Sequence, residues 1–199
     1  VSMQEIIYHS KCVAKNKNGS ILMADMPINS YVDEESAIKN SQEILKSNVD
    51  IVKLEYKDQH KIIIEKLISN NIPVCAHLGY LPQFFSELED VRIYGKSDNE
   101  KNKIFNQAKI LDDIGVDVIL LECVESDLAK EITSISKTPV IGIGSGDYCN
   151  GQVQVLYDII GVSENPPKFS TNFLQGSNSV EEAIKKYKNH VSKLNTKNS

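Results

Sequence analysis

The chain has 199 residues, and its 22 basic and 27 acidic side chains give a formal net charge of −5. Apolar residues make up 41% of the chain and charged residues 25%, which is typical of a globular domain with a hydrophobic core and excludes a disordered or fibrous protein. The acidic balance argues against a nucleic-acid partner, since phosphate backbones are bound by basic surfaces. No apolar run approaches the ~18 residues that a membrane span requires.

Helical patterns alternate with short apolar runs along the whole chain. The first helix is predicted to begin after Ser2, because Ser2 and Glu5 have the spacing of a capping box. In chain order the sequence predicts a helix over 3–16, a strand over 21–25, a helix over 34–47, a strand over 51–55, a helix over 58–70, a strand over 74–78, a helix over 99–114, a strand over 116–122, a helix over 127–136, a strand over 139–145, a helix over 150–161, a strand over 167–169 and a helix over 179–194.

The apolar runs are continuous rather than alternating, which favours buried parallel strands joined by helical crossovers. An open doubly wound sheet and a (β/α)8 barrel both fit this pattern. The open sheet is disfavoured because no G-x-G-x-x-G motif follows the first strand, and the nearest sequence, GIGSG at 142–146, comes late. A complete barrel typically takes ~250 residues, so we expect a TIM barrel that lacks the first one or two β/α units. We predict a single domain over 1–194, followed by a frayed tail over 195–199.

The four cysteines are widely separated and form no C-x-x-C pair, so free thiols in a reducing compartment are expected. The first residues also lack the basic segment and apolar run of a secretory signal. Both observations favour a cytoplasmic protein.

Ionisable side chains stand where four of the predicted strands end, and this is the position of catalytic residues in TIM barrels. Asp25, Glu55 and Glu122 each close an apolar run. If the strands bring these carboxylates together, a cation or a raised pKa must relieve their repulsion, and two carboxylates with water and substrate oxygens are a usual Mg²⁺ site. The alternative is that each carboxylate caps a helix or lies in solvent.

Lys53 and His77 are the other candidates. Lys53 lies two residues before Glu55 and therefore faces the same side of the strand, where it could meet a substrate carboxylate or form a structural ion pair. His77 could bind substrate, orient a carboxylate or be a structural histidine. The remaining histidines, His9, His60 and His190, are expected on the surface.

Read together, the motifs occur in one order. They are ADMP (24–27), VKLE (52–55), PVCAHLGYLPQ (73–83), LLECV (120–124), AKEIT (129–133), IGIGSG (141–146), GQVQVLYDIIG (151–161) and PKF (167–169). This series resembles the ketopantoate hydroxymethyltransferase family from Val1 to about Tyr187, and the succession of LLECV, AKEIT and IGIGSG is the specific part of the match.

The resemblance implies a TIM barrel of the phosphoenolpyruvate/isocitrate-lyase superfamily, assembled as a homodecamer, with Mg²⁺ and a 5,10-methylenetetrahydrofolate cosubstrate. It implies transfer of a hydroxymethyl group to 3-methyl-2-oxobutanoate, giving 2-dehydropantoate in pantothenate biosynthesis through a metal-stabilised enolate. By the matching motifs, Asp25 is implied as a metal ligand that also contacts the keto acid and Glu55 as a metal ligand. Lys53 and His77 are implied as substrate-binding residues, and Glu122 as the proton acceptor.

The chain departs from the family pattern in several places. An earlier strand that ends in Gly-Asp-Ser in the family, and supplies another metal ligand, has no counterpart in this sequence. The two glycines that follow the metal-binding glutamate in the family are replaced by Tyr56 and Lys57. Ala76, Leu81 and Tyr94 also stand where the family pattern has other residues. These departures leave two alternatives open: a related lyase or mutase that acts on another 2-oxo acid, and a non-catalytic truncated paralogue.

Overall fold

A computed structural model describes residues 1–84 and 91–197, with side chains up to Leu194. The helices are α1 (Met3–Ala14), α2 (Glu34–Leu45), α3 (Lys61–Ser69), α4 (Asp98–Ile114), α5 (Ser126–Ile135), α6 (Leu156–Ile159) and α7 (Val180–Lys197). The strands are β1 (Met23–Asp25), β2 (Ile51–Glu55), β3 (Val74–Gly79), β4 (Val118–Glu122), β5 (Val140–Ile143) and β6 (Gly151–Gln152). Short 3₁₀ turns at Asp58–His60 and Pro82–Phe84 follow β2 and β3.

All of these strands are parallel, and their order in the sheet is their order in the chain. A doubly wound sheet reverses its strand order at a switch point, whereas a β/α barrel does not. The structure therefore confirms the predicted barrel class. Within the described residues the curled sheet has six successive strands, whereas a complete barrel has eight.

The two faces of the sheet bury different layers. Helices cover the outer face, where the largest apolar cluster includes Leu54, Leu78 and Leu121. On the inner face Ile51, Cys75, Val118 and Leu120 form a second, smaller apolar cluster. Side chains alternate between faces along a strand, so the residues that follow at two-residue steps toward the carboxyl ends also face inward.

The prediction of a helix over 150–161 is only partly correct. Residues 150–161 do not form one helix, because Gly151–Gln152 adds to the sheet as β6 and the main-chain N–H of Val153 donates to the carbonyl of Gly142. A Cβ built on Gly142 would lie 2.9 Å from Cys149 Sγ, so the glycine is what permits this close approach. The prediction of one helix is therefore wrong for Gly151–Gln152, and only Leu156–Ile159 within this range is helical.

Residues 167–169 do not form a strand. The ring of Phe169 instead covers Gly144, where an added Cβ would lie 2.6 Å from the ring. Gly144 also has φ +63°, a conformation that glycine adopts at little cost. At the other end of the chain, the predicted tail over 195–199 falls partly on α7, and residues 198–199 lie outside the described part.

All four cysteines are free, as predicted, and only Cys12 is exposed. Burial raises the pKa of Cys75 to about 12 and the pKa values of Cys123 and Cys149 to about 11. Since the thiolate is the reactive form, we expect one thiol per chain to react rapidly with an aromatic disulfide reagent, and the other three only after unfolding. Fast reaction of two or more thiols in the folded protein would contradict this arrangement.

In the part of the chain that the structure describes, no helix has both the length and the apolar character needed to cross a membrane.

Candidate active site at the carboxyl ends of the strands

The five predicted site residues share the inner face of the sheet at its carboxyl edge. Asp25 pairs in register with Lys53, and Glu55 pairs with His77. Glu122 is the last residue of β4 and pairs with Gly79. It lies two residues after Leu120, the partner of His77. Partners in a parallel ladder point to the same side, so these residues form one polar layer directly above the inner apolar cluster.

Lys53 and Asp25 form an ion pair at the outer part of this layer. Lys53 Nζ lies 2.7 Å from Asp25 Oδ2. The lysine side chain is 11% exposed, whereas the aspartate is 53% exposed. The nearly buried ammonium group therefore has a counter-ion that remains open to the mouth of the barrel.

His77 lies between two carboxylates. Its Nε2 is 3.1 Å from Glu122 Oε2, and its Nδ1 is 3.9 Å from Glu55 Oε1. Burial lowers the pKa of His77 despite the opposing influence of Glu122, so the ring is neutral near pH 7. Neither ring nitrogen has a well-aligned hydrogen-bond partner among the described residues, although Nε2 lies within hydrogen-bond distance of Glu122. A buried imidazole in this state leaves polar atoms that a bound ligand could satisfy.

Glu55 is the most deeply buried acid of the group, with 1% of its side chain exposed. Burial raises the pKa of Glu55 to about 7, and the main-chain N–H of Gln83 and the charge of Lys53 only partly offset this. That N–H donates to both carboxylate oxygens at 3.1 Å. Glu122, in contrast, is 20% exposed and faces the opening.

The donor set of Asp25 and Glu55 fits a Mg²⁺ ion in its chemistry. Both supply the hard oxygen ligands that Mg²⁺ prefers, and a cation would provide the countercharge that buried Glu55 lacks. Within residues 1–84 and 91–197, no three His, Cys, Asp or Glu side chains are grouped to hold a metal. The described residues would thus contribute two carboxylates. Substrate and water oxygens would complete the coordination shell, as is usual for Mg²⁺.

Comparison with known proteins shows which family the chain belongs to. The family model for ketopantoate hydroxymethyltransferase matches residues 1–195. The chain belongs to the ketopantoate hydroxymethyltransferase family. It is 42% identical over 188 residues to the 3-methyl-2-oxobutanoate hydroxymethyltransferase of Marinobacter nauticus, and the match covers 94% of this chain and 71% of that protein. The enzyme of the same name from Buchnera aphidicola is 38% identical over 188 residues, with 94% and 72% covered.

A solved structure of 2,3-dimethylmalate lyase, a member of the PEP mutase/isocitrate lyase superfamily, has the same fold with a TM-score of 0.53 and 12% identity. The match covers 77% of this chain and 54% of that chain. At this identity the likeness concerns the fold alone, and the fold is the β/α barrel type that the sequence predicts.

Most of the departures from the ketopantoate hydroxymethyltransferase pattern lie away from this polar layer. Tyr56, Lys57, Leu81 and Tyr94 line one cavity of about 400 Å³. Tyr56 follows Glu55 and points to the opposite side of the sheet, where it is buried in the helix-covered core. These positions therefore line a cavity on the helix-covered side of the sheet and not the inner face that carries Lys53 and Glu122.

Sequence reasoning missed the residues that surround Glu55 in this family member. His60, predicted at the surface, is 6% exposed, and its Nδ1 lies 3.0 Å from the carbonyl oxygen of Glu55. The surface prediction for His60 is wrong because the 3₁₀ turn Asp58–His60 folds the ring back under the end of β2. His9 and His190 are exposed, as predicted.

Tyr31 and Gln83 also lie beside Glu55 and escaped notice. Gln83 belongs to the motif at 73–83, which was a signal of its importance. No spacing rule links Gln83 to Tyr31, which is 52 residues away.

Proposed function

We propose that this chain catalyses the transfer of a hydroxymethyl group from 5,10-methylenetetrahydrofolate to 3-methyl-2-oxobutanoate, giving 2-dehydropantoate in pantothenate biosynthesis. In this reaction a C3–H bond of the keto acid is broken, and C3 forms a bond to the one-carbon unit. Water supplies the hydroxyl oxygen, and tetrahydrofolate leaves. Family membership supports the reaction, and the polar layer at the carboxyl ends of the strands supports its location.

Glu122 is the proton acceptor in this proposal. Its carboxylate faces the opening of the barrel, where a substrate can reach it, and the neutral ring of His77 lies 3.1 Å behind it. A neutral imidazole can donate one N–H bond and so orient the carboxylate without neutralising its charge. His77 is also proposed to contact the substrate, since neither of its ring nitrogens has a well-aligned partner among the described residues.

Lys53 is proposed to bind the carboxylate of the keto acid, because it is the cationic group of the inner polar layer. Asp25 and Glu55 would hold Mg²⁺, and Asp25 would also contact the keto acid. When bound, Mg²⁺ would supply Lewis-acid stabilisation of the negative charge that develops on the keto oxygen. The observation that supports this proposal most directly is the position of His77. Its buried ring lies between the carboxylate of Glu55, a proposed metal ligand, and the carboxylate of Glu122, the proposed base.

The test is an assay of the purified protein with 3-methyl-2-oxobutanoate and 5,10-methylenetetrahydrofolate. We expect Mg²⁺-dependent formation of 2-dehydropantoate, loss of activity in excess EDTA and its recovery on addition of Mg²⁺. Turnover of a different 2-oxo acid such as oxaloacetate, without turnover of this one, would favour the lyase or mutase alternative. Absence of Mg²⁺-dependent keto-acid binding in calorimetry would favour the non-catalytic alternative.

We also propose that the protein is a cytoplasmic homo-oligomer, a decamer by family resemblance. Support comes from apolar side chains around α6 that remain more than half exposed, namely Val155, Leu156, Tyr157 and Val162. These residues are close together in the chain, and clustered exposed apolar side chains mark sites of association. Light scattering after gel filtration should give the mass of ten chains, and a monomer at micromolar concentration would overturn this proposal.

A further inference from the structure

A hydrogen-bonded network around Gln83 joins the loops that follow β1 and β3 to the end of β2. Gln83 lies in the 3₁₀ turn Pro82–Phe84 after β3, and its main-chain N–H donates to both oxygens of Glu55 at the end of β2. Its side chain reaches the loop after β1, where it meets Met26 and Tyr31. One residue thus links the loops after β1 and β3 to the last residue of β2.

The side-chain amide of Gln83 has only one orientation that satisfies its partners. Its Nε2 lies 2.9 Å from the carbonyl oxygen of Met26, which can only accept a hydrogen bond. Oε1 is therefore left to accept from the hydroxyl of Tyr31 at 2.8 Å. Tyr31 is 3% exposed, so this bond satisfies the hydroxyl proton of a nearly buried side chain.

The two side-chain hydrogen bonds of Gln83 fix the position of its main-chain N–H, which donates to Glu55. The 3₁₀ turn is tied through the Gln83 side chain to Met26, and Met26 is the residue directly after Asp25. The network therefore connects the main chain beside one proposed metal ligand to the carboxylate of the other. A single N–H shared by both oxygens of Glu55 orients the carboxylate and leaves further lone pairs for a cation.

We propose that Gln83, held by Tyr31, is a positioning residue that fixes Glu55 relative to Asp25 for binding of a divalent cation. This inference rests on the proposed function, because it takes Asp25 and Glu55 as the metal ligands. Residues that orient metal ligands typically change metal affinity by about 10–100-fold when they are removed.

The test measures binding of Mn²⁺, as a paramagnetic probe for the Mg²⁺ site, by electron paramagnetic resonance. Gln83→Leu keeps the main-chain N–H and the approximate size but removes both side-chain bonds, and we expect it to weaken Mn²⁺ affinity by about 10–100-fold. Tyr31→Phe removes one hydroxyl and should weaken affinity less. The double variant should be no weaker than Gln83→Leu alone, because both substitutions act through the same turn.

Asn40→Leu is the matched control. Asn40 Nδ2 donates to the carbonyl oxygen of Ser30 at 2.7 Å, so this variant removes a side-chain amide bond to the same loop without touching the contact to Glu55. We expect Asn40→Leu to lower Tm but to leave Mn²⁺ affinity unchanged.

Four results would count against the inference. Unchanged affinity in Gln83→Leu, or equal weakening in Asn40→Leu, would overturn it and leave the proposed function standing. If Gln83→Leu does not fold, unchanged affinity in Tyr31→Phe overturns it instead. Absence of Mn²⁺ binding by the unchanged protein would overturn the proposed function as well.

Discussion

Replacement of Glu122 by glutamine is expected to lower kcat/KM for 2-dehydropantoate formation by about 10²–10⁴-fold, the range that a general base contributes. Glutamine has nearly the same shape but cannot accept the C3 proton. Since Glu122 is not a proposed metal ligand, Mn²⁺ affinity should be unchanged in the same variant. The measurement is steady-state kinetics alongside Mn²⁺ titration of the folded protein.

Glu125→Gln provides the control for this prediction. Glu125 follows in the same loop, but its carboxylate accepts from the main-chain N–H of Leu128 at the start of α5. This variant should lose some stability, at most about 2 kcal/mol for a weakened helix cap, and retain full activity. Turnover by Glu122→Gln within threefold of the unchanged protein would exclude Glu122 as the base.

Replacement of Glu55 by glutamine is expected to stabilise the metal-free protein at alkaline pH. The folded-state pKa of Glu55 is raised to about 7 by burial, from an ordinary value of 4.5. A raised carboxyl pKa means that the folded state binds the proton more tightly, so the contribution to stability is present below pH 4.5 and is lost as pH rises through 7. Glutamine can still accept from the Gln83 N–H and carries no charge at any pH.

The free energy of unfolding of Glu55→Gln, relative to the unchanged protein, should therefore increase by about 2 kcal/mol between pH 5 and pH 8. Denaturant unfolding in EDTA at the two pH values measures this difference. Addition of Mg²⁺ should reverse the order at pH 8, because the cation stabilises only the protein that binds it. A pH-independent difference, or equal stabilisation of both proteins by Mg²⁺, would contradict the role of Glu55.

The strands and their polar ends were predictable because the signals are local. A continuous apolar run that ends in Asp25, Glu55 or Glu122 gives both the strand and the position of the acid, and strand order in a barrel then brings the acids together. The family resemblance added roles that no spacing rule could assign.

Prediction failed where neighbours in space decide the structure. Gly151–Gln152 can pair with β5 because residue 142 is a glycine, which leaves room for the side chains of Cys149 and Gln152. The burial of His60 depends on the turn after β2. The bond between Tyr31 and Gln83 joins two loops that are remote in sequence and meet only in the folded barrel. Such contacts have no periodicity that a single sequence could reveal.

The central claim is that the inner polar layer removes a proton from C3 of a 2-oxo acid. The most direct test is proton exchange of 3-methyl-2-oxobutanoate in D₂O, followed by NMR without folate, because it isolates this step from the later chemistry. We expect the unchanged protein with Mg²⁺ to replace the C3 proton by deuterium, with exchange lost in EDTA and reduced about 10²–10⁴-fold in Glu122→Gln. Exchange at the same rate in Glu122→Gln, or no exchange by the unchanged protein with Mg²⁺, would contradict the account.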